Sequence, residues 1–490
     1  MIWKMDLRGM GSVIEKCREK WNQLSKPTQA SIAVIVCKVI LMAISTLSTP
    51  FFTRIMSMDQ YGIFTIIASW YEVILVFTTF ELGGSIFQQA LVKKQFEKKE
   101  LQAGAAGLGT LGVLLFFLIY LPFSGWINGR VGISLTTMTA ILIFSWTTHI
   151  YQIWVSSQKN DFKYKKMFVL AVFVAIAEAL GGIATVLLVK DNQGEARFWW
   201  VTLVETVTYL PFFISFAKGG KLINKKVWKY FLPLCIPLIP HYLTRILLNQ
   251  SDKLMIKFLE SEAEAGLYGL GHSIAWMLCV FTGALIYSIN PWLFQRIKKS
   301  ELDKIGKVAH GTIFLVGIAG LALITVSPEA IYIFSPEEYH SAMWVIPPLV
   351  ISVFFMYMYN VFTCFSFYFE KSGVIMLISL SGGILNVVLN YIFIGQYGWI
   401  AAGYTTLFSY LCFAVAHYIC MKKLIKSKLN NAKVLNGKII VGIAVLVVVT
   451  AAGIMLLYEY PLIRYSILLV ALLIMFYKRK TIMEIINMKS

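Results

Sequence analysis

The sequence predicts an all-α polytopic membrane protein with about 14 transmembrane helices. Hydrophobic residues make up 58% of the 490-residue chain and charged residues only 14%, whereas about a quarter of the residues in a typical soluble domain are charged. Long apolar segments recur along the chain, and each could cross a hydrocarbon core of about 30 Å as a helix. A chain of this composition is not expected to fold as a water-soluble globule.

The apolar segments predict the positions of the membrane spans, which we number in chain order. The expected spans are residues 31–53, 61–82, 103–122, 131–155, 168–189, 198–216, 231–257, 266–290, 308–327, 343–366, 373–395, 400–420, 438–457 and 462–477. Residues 1–28 are polar and basic, and they indicate a cytoplasmic segment that could lie as a helix on the membrane surface. Since the first apolar run is long enough to span and no small-residue cleavage motif follows it, we expect no cleavable signal peptide.

The formal net charge of +19 indicates membrane topology rather than a nucleic-acid partner. Lys and Arg cluster in alternate connections, chiefly those after spans two, four, six, eight and twelve. Because cytoplasmic loops carry the excess of positive charge, both termini are predicted to be cytoplasmic. The seven cysteines are scattered, mostly within apolar runs, so we expect neither disulfides nor a metal site.

Two similar stretches indicate an internal repeat. Residues 51–71 and 255–276 each contain a span end, a basic residue, an acidic link and a Tyr-Gly pair, followed by a span rich in small residues. The repeat predicts two pseudo-symmetric six-helix bundles around a central cavity, although Tyr-Gly could also mark the same kind of turn twice. The expected units are an N-terminal bundle at 29–220, a C-terminal bundle at 221–421, and two further spans with a cytoplasmic tail at 422–490.

Four motifs carry a resemblance to a known family. They are PFFTRIMSMDQYGIFTI, NQSDKLMIKFLESEAEAGLYGLG, IFSPEEYHSAMWVIPPLV and LNVVLNYIFIGQYGWIAAGYTTLFS. Over about residues 29–421 the chain resembles the Wzx-type flippases of O-antigen or capsule repeat units. These belong to the multidrug/oligosaccharidyl-lipid/polysaccharide (MOP) transporter superfamily.

The resemblance implies a function, a location and partners. The function is transfer of an undecaprenyl-diphosphate-linked oligosaccharide from the cytoplasmic to the outer leaflet of the bacterial inner membrane by alternating access. The implied partners are membrane lipids, the lipid-linked oligosaccharide, a glycan polymerase and the glycosyltransferases of lipopolysaccharide or capsule synthesis.

Charged residues in the seventh span predict a site for an anionic substrate. His241, Arg245, Asn249 and Asp252 share one helix face by their spacing, and charge at membrane depth needs a cavity or a partner. Arg245, flanked by His241 and Asn249, and Lys38 in the first span could bind diphosphate oxygens. The alternative is that Arg245 and Lys38 pair with carboxylates and hold helices together.

Three carboxylates inside the predicted spans are candidates for ion coupling. Glu72, Glu178 and Glu205 lie in spans two, five and six, and a buried carboxyl group takes up a proton readily. The alternative for each is a neutral, hydrogen-bonded structural acid. Lys253 points about 100° away from Asp252 around the helix, and we expect it to face the outer rim.

The resemblance also implies a second ion site. Related lipid II flippases hold sodium with an Asn-x3-Asp pair on the eleventh span and with partners on the seventh and twelfth. The matching residues here are Asn386, Asn390, Thr405, Thr406 and Asp252. An amide stands in place of the family's carboxylate and binds a hard cation less strongly, so the alternative is that the two asparagines only bridge helices. The expected coupling ion is Na⁺ or H⁺.

No pattern in the sequence predicts catalysis. There is no GxxxxGK[ST] or DxD motif, and the six His residues form no zinc-like pair. We therefore predict a transporter with no catalytic residues and no cofactor apart from a coupling ion. Two alternatives remain: a multidrug or cation antiporter of the same superfamily, which would favour an acidic, aromatic cavity, and a membrane glycan polymerase or ligase, which the short external connections disfavour.

Overall fold

The computed structural model describes residues 26–93, 96–161, 163–369, 371–430, 432 and 434–477. Within these ranges the regular structure is helical, and the predicted all-α fold class is confirmed. Eleven described segments are long and apolar enough to cross a membrane. The N-terminal helix predicted at residues 1–28 lies almost entirely outside the described residues, as does the end of the predicted cytoplasmic tail.

The described α-helices are numbered in chain order. They are α1 (Lys26–Ile55), α2 (Met58–Thr79), α3 (Ser85–Lys93), α4 (Lys98–Val131), α5 (Leu135–Asn160), α6 (Tyr164–Leu188), α7 (Gln193–Gly219), α8 (Lys225–Cys235), α9 (Ile239–Leu259), α10 (Glu262–Ala275), α11 (Met277–Lys298), α12 (Leu302–Phe334), α13 (Ile346–Tyr368), α14 (Ser372–Tyr397), α15 (Ala401–Lys428), α16 (Gly437–Leu456) and α17 (Pro461–Tyr477). Short 3₁₀ helices, Ile236–Leu238 and Glu337–Trp344, precede α9 and α13.

Each predicted span corresponds to helical structure, but spans seven and eight are both divided. Span seven consists of α8, a 3₁₀ turn and α9, and Pro233 and Pro237 lie at this break. A proline lacks the backbone N–H that a continuous helix needs. Span eight divides at Trp276, between α10 and α11. The sequence pattern did not predict these breaks or the short helix α3.

The helices pack as two lobes that meet along α2. In the first lobe α1 packs on α6, and α7 packs on both α5 and α6; in the second lobe α14 packs on α9 and α15, and α13 packs on α12 and α15. Helix α2 packs on α10 and α9 of the second lobe. Helix α8 packs on α4 of the first lobe, where Trp228 Nε1 donates to the carbonyl of Gly104 at 2.8 Å. The exact domain boundaries stay a prediction.

Glycines in α4 allow the close approach of neighbouring helices that their spacing suggests. A Cβ atom on Gly107 would overlap the backbone of Leu222, and one on Gly104 would come within 2.7 Å of Val227 Cγ1. Side chains at these positions would therefore push α4 away from the segment that leads into the second lobe.

The lobes are joined at one end of the bundle, which carries the α1–α2, α6–α7 and α9–α10 connections. We call this end the basic-poor face, because Lys and Arg are sparse there. Thr53 Oγ1 donates to the Phe334 carbonyl at 2.6 Å, and Arg54 Nη2 donates to the Ile333 carbonyl at 2.9 Å. Residues 62 and 266 are both glycine, which lets α2 and α10 touch through their backbones. The structure is thus closed at the face that topology predicts to be external.

Candidate functional site

A buried carboxylate lies inside the second lobe where α9, α10, α14 and α15 meet. Asp252 is 2% exposed. Its Oδ2 atom accepts hydrogen bonds from Tyr268 Oη at 2.5 Å and Thr406 Oγ1 at 2.8 Å, and its Oδ1 atom accepts one from Asn390 Nδ2 at 2.6 Å. Burial of an ionised carboxylate is costly unless it is hydrogen-bonded or paired, and these three donors offset that cost.

The polar contacts continue onto two asparagines one turn apart on α14. Asn386 Nδ2 donates to Thr406 Oγ1 at 3.1 Å, and Asn386 Oδ1 accepts from Ser251 Oγ at 3.1 Å. The Thr405 hydroxyl donates to Asn390 Oδ1. We call the set the Asp252 cluster: Ser251, Asp252, Tyr268, Asn386, Asn390, Thr405 and Thr406.

The cluster brings together four of the residues proposed for ion coupling, which come from three different predicted spans. Asp252, Asn386, Asn390 and Thr406 are in mutual contact. Tyr268 was not predicted as a member. Its signal was present in the sequence as the Tyr-Gly pair of the repeat, but only the fold brings its hydroxyl to Asp252.

The oxygen atoms of the Asp252 cluster are ligands that suit a small hard cation. They are carboxylate, amide and hydroxyl oxygens, the ligand types that such cations prefer. Within the described ranges no group of three or more His, Cys, Asp and Glu residues is placed to hold a metal ion. With a single carboxylate, the cluster suits a monovalent cation better than a divalent one.

The predicted anion-binding face of α9 is directed differently from what we expected. Asn249 Oδ1 accepts a hydrogen bond from Tyr410 Oη of α15 at 3.3 Å, and Asp252 points into the cluster. This turn therefore faces the interior of the second lobe, not the first lobe across a central cavity. The side chains of His241 and Arg245 lie outside the described part, so their roles stay predictions.

The side of α9 that faces the first lobe carries Gln250 and Lys253. Gln250 Oε1 accepts from Ser69 Oγ of α2 at 3.1 Å and from Lys253 Nζ at 3.1 Å. Glu72, one turn beyond Ser69, interacts electrostatically with Lys253. The expectation that Lys253 faces the outer rim is wrong, because tilting and packing of α9 turn it towards the lobe interface.

The other two predicted carboxylates lie together in a cavity of about 400 Å³ inside the first lobe. Glu178 projects from α6 and Glu205 from α7. Glu205 Oε2 accepts hydrogen bonds from Thr147 Oγ1 and Thr148 Oγ1, both at 3.2 Å. The three candidate glutamates therefore occupy two places, since Glu72 lies at the lobe interface.

Arg197 is a charged residue of this cavity that sequence reasoning missed. Its guanidinium carbon lies 3.4 Å from the ring centroid of Phe52 and 3.8 Å from that of Phe64, and it interacts electrostatically with Glu178. The apolar window of span six begins at residue 198, so Arg197 was assigned to a connection. In the structure it stands in the first turns of α7, which begins at Gln193.

Lys38 lies on α1 with an exposed side chain. It interacts electrostatically with Lys159, near the end of α5, which places it towards the basic side of the first lobe. The structure does not bring Lys38 to Asn249, which hydrogen-bonds within the second lobe. Lys38 and Asn249, both predicted to bind substrate, therefore lie in separate regions.

Ionisable groups inside two lobes of apolar, membrane-length helices are typical of a polytopic membrane transporter. Residues 28–297 match the family described as Polysaccharide biosynthesis protein. Because this match covers more than half of the 490 residues, the chain belongs to that family.

Known proteins show the same fold. The probable low-salt glycan biosynthesis flippase Agl15 of Haloferax volcanii is 21% identical over 420 residues, 83% of this chain and 86% of the relative. A solved structure of the lipid II flippase MurJ in an inward closed conformation aligns with a TM-score of 0.63 at 16% identity, covering 93% of this chain and all of MurJ. An inward-facing multidrug resistance MATE transporter of the MOP superfamily aligns with a TM-score of 0.59 at 11% identity, covering 81% of this chain and 99% of that transporter.

The family match confirms a polysaccharide biosynthesis protein, and the solved structures confirm the fold that the resemblance predicts. The names that state an activity describe flippases and transporters, in agreement with a transporter rather than a glycan polymerase or ligase. One further curated relative is matched over only 65% of its own length.

Proposed function

We propose that the protein is a flippase that moves an undecaprenyl-diphosphate-linked oligosaccharide from the cytoplasmic to the outer leaflet of the bacterial inner membrane. A sugar and a diphosphate cannot cross hydrocarbon unaided, because each unsatisfied polar group costs several kcal/mol there. The observation that carries the proposal is the presence of ionisable groups inside both lobes of a polysaccharide-family fold: the buried Asp252 cluster, and the half-buried Glu178, Arg197 and Glu205 around one cavity.

Alternating access suits the way the lobes meet. The contacts of Thr53 and Arg54 with the end of α12 close the basic-poor face, and each such hydrogen bond contributes only about 1 kcal/mol net. Opening this face would break these hydrogen bonds and the packing of α2 on α10. In the proposed orientation, with both termini cytoplasmic, the structure corresponds to a state closed to the outside.

Arg245, with His241 as a polar partner, would hold the diphosphate, whereas Lys38 could meet the head group only at another stage of the transport cycle, because Lys38 lies in a separate region of this structure. Glycosyltransferases would supply the lipid-linked unit on the cytoplasmic side, and a polymerase would consume it outside to make O-antigen or capsule. An inside-negative potential favours outward movement of each negative charge by about 2.3 kcal/mol per 100 mV. A substrate with two negative charges could thus draw energy from the potential.

Coupling to an ion would use the Asp252 cluster, Glu178 or Glu205. The oxygen atoms of Asp252, Asn386, Asn390 and Thr406 would hold Na⁺, which would supply the charge that compensates the buried carboxylate. Glu178 and Glu205 could carry a proton instead. Both carboxyl groups line one cavity, so either could take up and release a proton there.

A multidrug or cation antiporter is a second candidate, and the first-lobe cavity favours it. Two carboxylates share that cavity with a single arginine, and the stacked rings of Tyr151 and Tyr209 also line it, with centroids 4.6 Å apart. Acidic and aromatic groups of this kind suit a cationic, planar substrate.

Transport by the purified protein in proteoliposomes distinguishes the two functions. We expect flipping of a diphosphate-linked oligosaccharide, with a loss of at least about 10-fold in rate on the change Arg245→Ala. The exposed Arg130 of α4 supplies the matched control, Arg130→Ala, which should flip at a rate close to wild type. Proton-driven dye export without flipping of any diphosphate-linked glycan would establish the antiporter instead.

A further inference from the structure

The first-lobe cavity has an aromatic wall. Tyr151 of α5 and Tyr209 of α7 both line it, and their rings lie nearly parallel, with centroids 4.6 Å apart and planes 13° apart. Trp154 and Phe212, one turn further along the same two helices, stack in the same way, with centroids 4.6 Å apart and planes 5° apart. The four rings extend this wall from the cavity towards the basic side, where both helices end.

Other parts of the cavity wall accept hydrogen bonds. Glu178 and Glu205 bring two carboxylates to it, and Ser45 of α1 brings a hydroxyl group. Glu205 Oε2 accepts from the hydroxyls of Thr147 and Thr148, both at 3.2 Å. A carboxylate has two oxygens and about four lone-pair sites, so both glutamates can accept further hydrogen bonds from a ligand in the cavity.

Arg197 brings a hydrogen-bond donor that the described part of the chain does not use. Its guanidinium carbon lies over the rings of Phe52 and Phe64, at 3.4 and 3.8 Å from their centroids, and these contacts hold the group in place. Its Nη1 atom is buried and has no hydrogen-bond partner among the described residues. A buried charged donor without an acceptor is costly, so this position suits a ligand that supplies an acceptor.

This combination of groups matches the chemistry of an uncharged sugar residue. A sugar ring has an apolar face of C–H groups that packs on an aromatic ring, and a rim of hydroxyls that both donate and accept. The cavity volume of about 400 Å³ lies within the range of small-ligand pockets, about 300–1,000 Å³. A cationic ligand would meet the charge of Arg197, and an acidic sugar would meet two carboxylates. An uncharged sugar meets no like charge.

We propose that the first-lobe cavity is a binding site for an uncharged sugar residue of the lipid-linked head group. The inference rests on the proposed function, which supplies the glycan. The rings of Tyr151 and Tyr209 support the apolar face of the sugar, Glu178 accepts hydrogen bonds from its hydroxyls, and Arg197 Nη1 donates to a sugar oxygen. Recognition of the glycan then belongs to the first lobe, whereas the diphosphate belongs to Arg245 in the second.

Binding of defined lipids to the full-length protein in nanodiscs tests the proposal. The probes are undecaprenyl diphosphate without a sugar and the same lipid carrying one to three residues of glucose, galactose or N-acetylglucosamine. Native mass spectrometry gives the dissociation constant of each probe. The readout is the sugar gain, which is the dissociation constant of the bare lipid divided by that of the sugar-bearing lipid. We expect a sugar gain of about 10-fold for at least one glycan, the size of one hydrogen bond to a charged group.

Variants of the cavity should remove the sugar gain and leave binding of the bare lipid unchanged. Glu178→Gln removes a charged acceptor, Tyr151→Leu removes an aromatic ring, and Arg197→Lys keeps the charge without the planar fork of donors. Each should lower the gain. The matched controls are Glu337→Gln, at an exposed carboxylate, and Tyr391→Leu, at a ring on α14 that is 68% exposed. Both should keep the gain. Unchanged binding of the bare lipid shows that a cavity variant is folded.

The inference and the proposed function fail in different ways. Equal dissociation constants for the bare and sugar-bearing lipids, or a sugar gain that persists in all three cavity variants, overturn the inference and leave the flippase standing. Binding of ethidium that Glu178→Gln weakens, without any sugar gain, also overturns the inference and assigns the cavity to a planar cation. Absence of binding of every lipid probe overturns the proposed function and the inference together.

Discussion

Arg464 shows how a single residue near the end of the chain can be fixed by the fold. It stands one turn into α17, and its side chain is 1% exposed. Its guanidinium contacts both carboxylate oxygens of Glu329 on α12, at 2.6 and 3.1 Å, and also donates to the Thr325 carbonyl. This bidentate pair anchors the last described helix to the second lobe, a role that the sequence pattern does not reveal.

We therefore expect Arg464→Met to destabilise the protein by about 1–2 kcal/mol, because Glu329, which is 30% exposed, loses its bidentate partner. The measurement is the melting temperature in detergent, compared with Arg130→Met as a matched change at an exposed arginine. Equal melting temperatures for the two variants would show that the Arg464 pair contributes nothing to stability.

Asp161 lies just beyond α5 on the basic side of the molecule, outside the membrane spans. It makes a pH-dependent contribution to the stability of the fold. Its Oδ2 atom accepts from Lys98 Nζ at 2.7 Å and lies 3.3 Å from Lys163 Nζ. The hydrogen bond from Lys98, together with that from Lys163, lowers the pKa of Asp161 below its ordinary value of 3.8. A lowered pKa in the folded state stabilises the fold above the unfolded pKa, and the stabilisation is lost as pH falls through the folded pKa.

Asp161→Asn should accordingly lower the melting temperature at neutral pH. The loss in the free energy of unfolding should be less than about 1 kcal/mol, because the pair is partly exposed. The difference from wild type should stay constant from about pH 7 to pH 5 and shrink below about pH 4. Asp191→Asn, at an exposed carboxylate in the α6–α7 connection, is the control without such a trend. A difference that grew on acidification would contradict this assignment.

At the level of helices, the division of span seven decides how the lobes are connected. Helix α8 packs on the first lobe through Val227 and Phe231, and α9 packs on α14 in the second. The 3₁₀ turn Ile236–Leu238 separates them. An apolar run with several prolines can form one kinked helix or two helices, and only packing against both lobes selects the second form.

The glycines of α4 support the same junction, which leads to a stability prediction. Gly107→Ala should cost about 1–3 kcal/mol through overpacking, because the added methyl group meets the Leu222 backbone. Gly125→Ala on the same helix meets no atom within 4 Å and should be neutral or stabilising by up to about 1 kcal/mol. Melting temperatures of the two variants in detergent provide the comparison. A similar effect at both positions would show that helix propensity, not packing against the α7–α8 connection, decides the outcome.

For the whole molecule, the distribution of exposed apolar side chains agrees with a lipid environment. Leu188 and Leu462 are each 83% exposed, and exposed large hydrophobic residues occur on many of the helices. In water, apolar surface costs about 25 cal/mol per Å², so a soluble protein would not display so much of it. The same surface contacts lipid without that cost.

The orientation of the whole molecule gives a direct prediction from charge. We expect a membrane-impermeant maleimide to label a cysteine placed at Asn192, in the basic-poor α6–α7 connection, on intact cells. A cysteine at Lys165, at the start of α6 on the basic side, should be labelled only after the cells are opened. The native cysteines are replaced in both variants. The reverse pattern would invert the proposed direction of transport.

The sequence alone determined the fold class and the approximate positions of the spans, and the family resemblance suggested the grouping of Asp252, Asn386, Asn390 and Thr406. Hydrophobic length is set by the bilayer and is written locally in the chain, so it can be derived residue by residue. The tertiary structure decided which charges meet. It brought Tyr268 to Asp252, Glu178 and Arg197 to one cavity, and Gln250 to Ser69, and it turned Asn249 into the second lobe. These contacts depend on the rotation and crossing of helices distant in sequence, which side-chain packing fixes and helical periodicity alone does not.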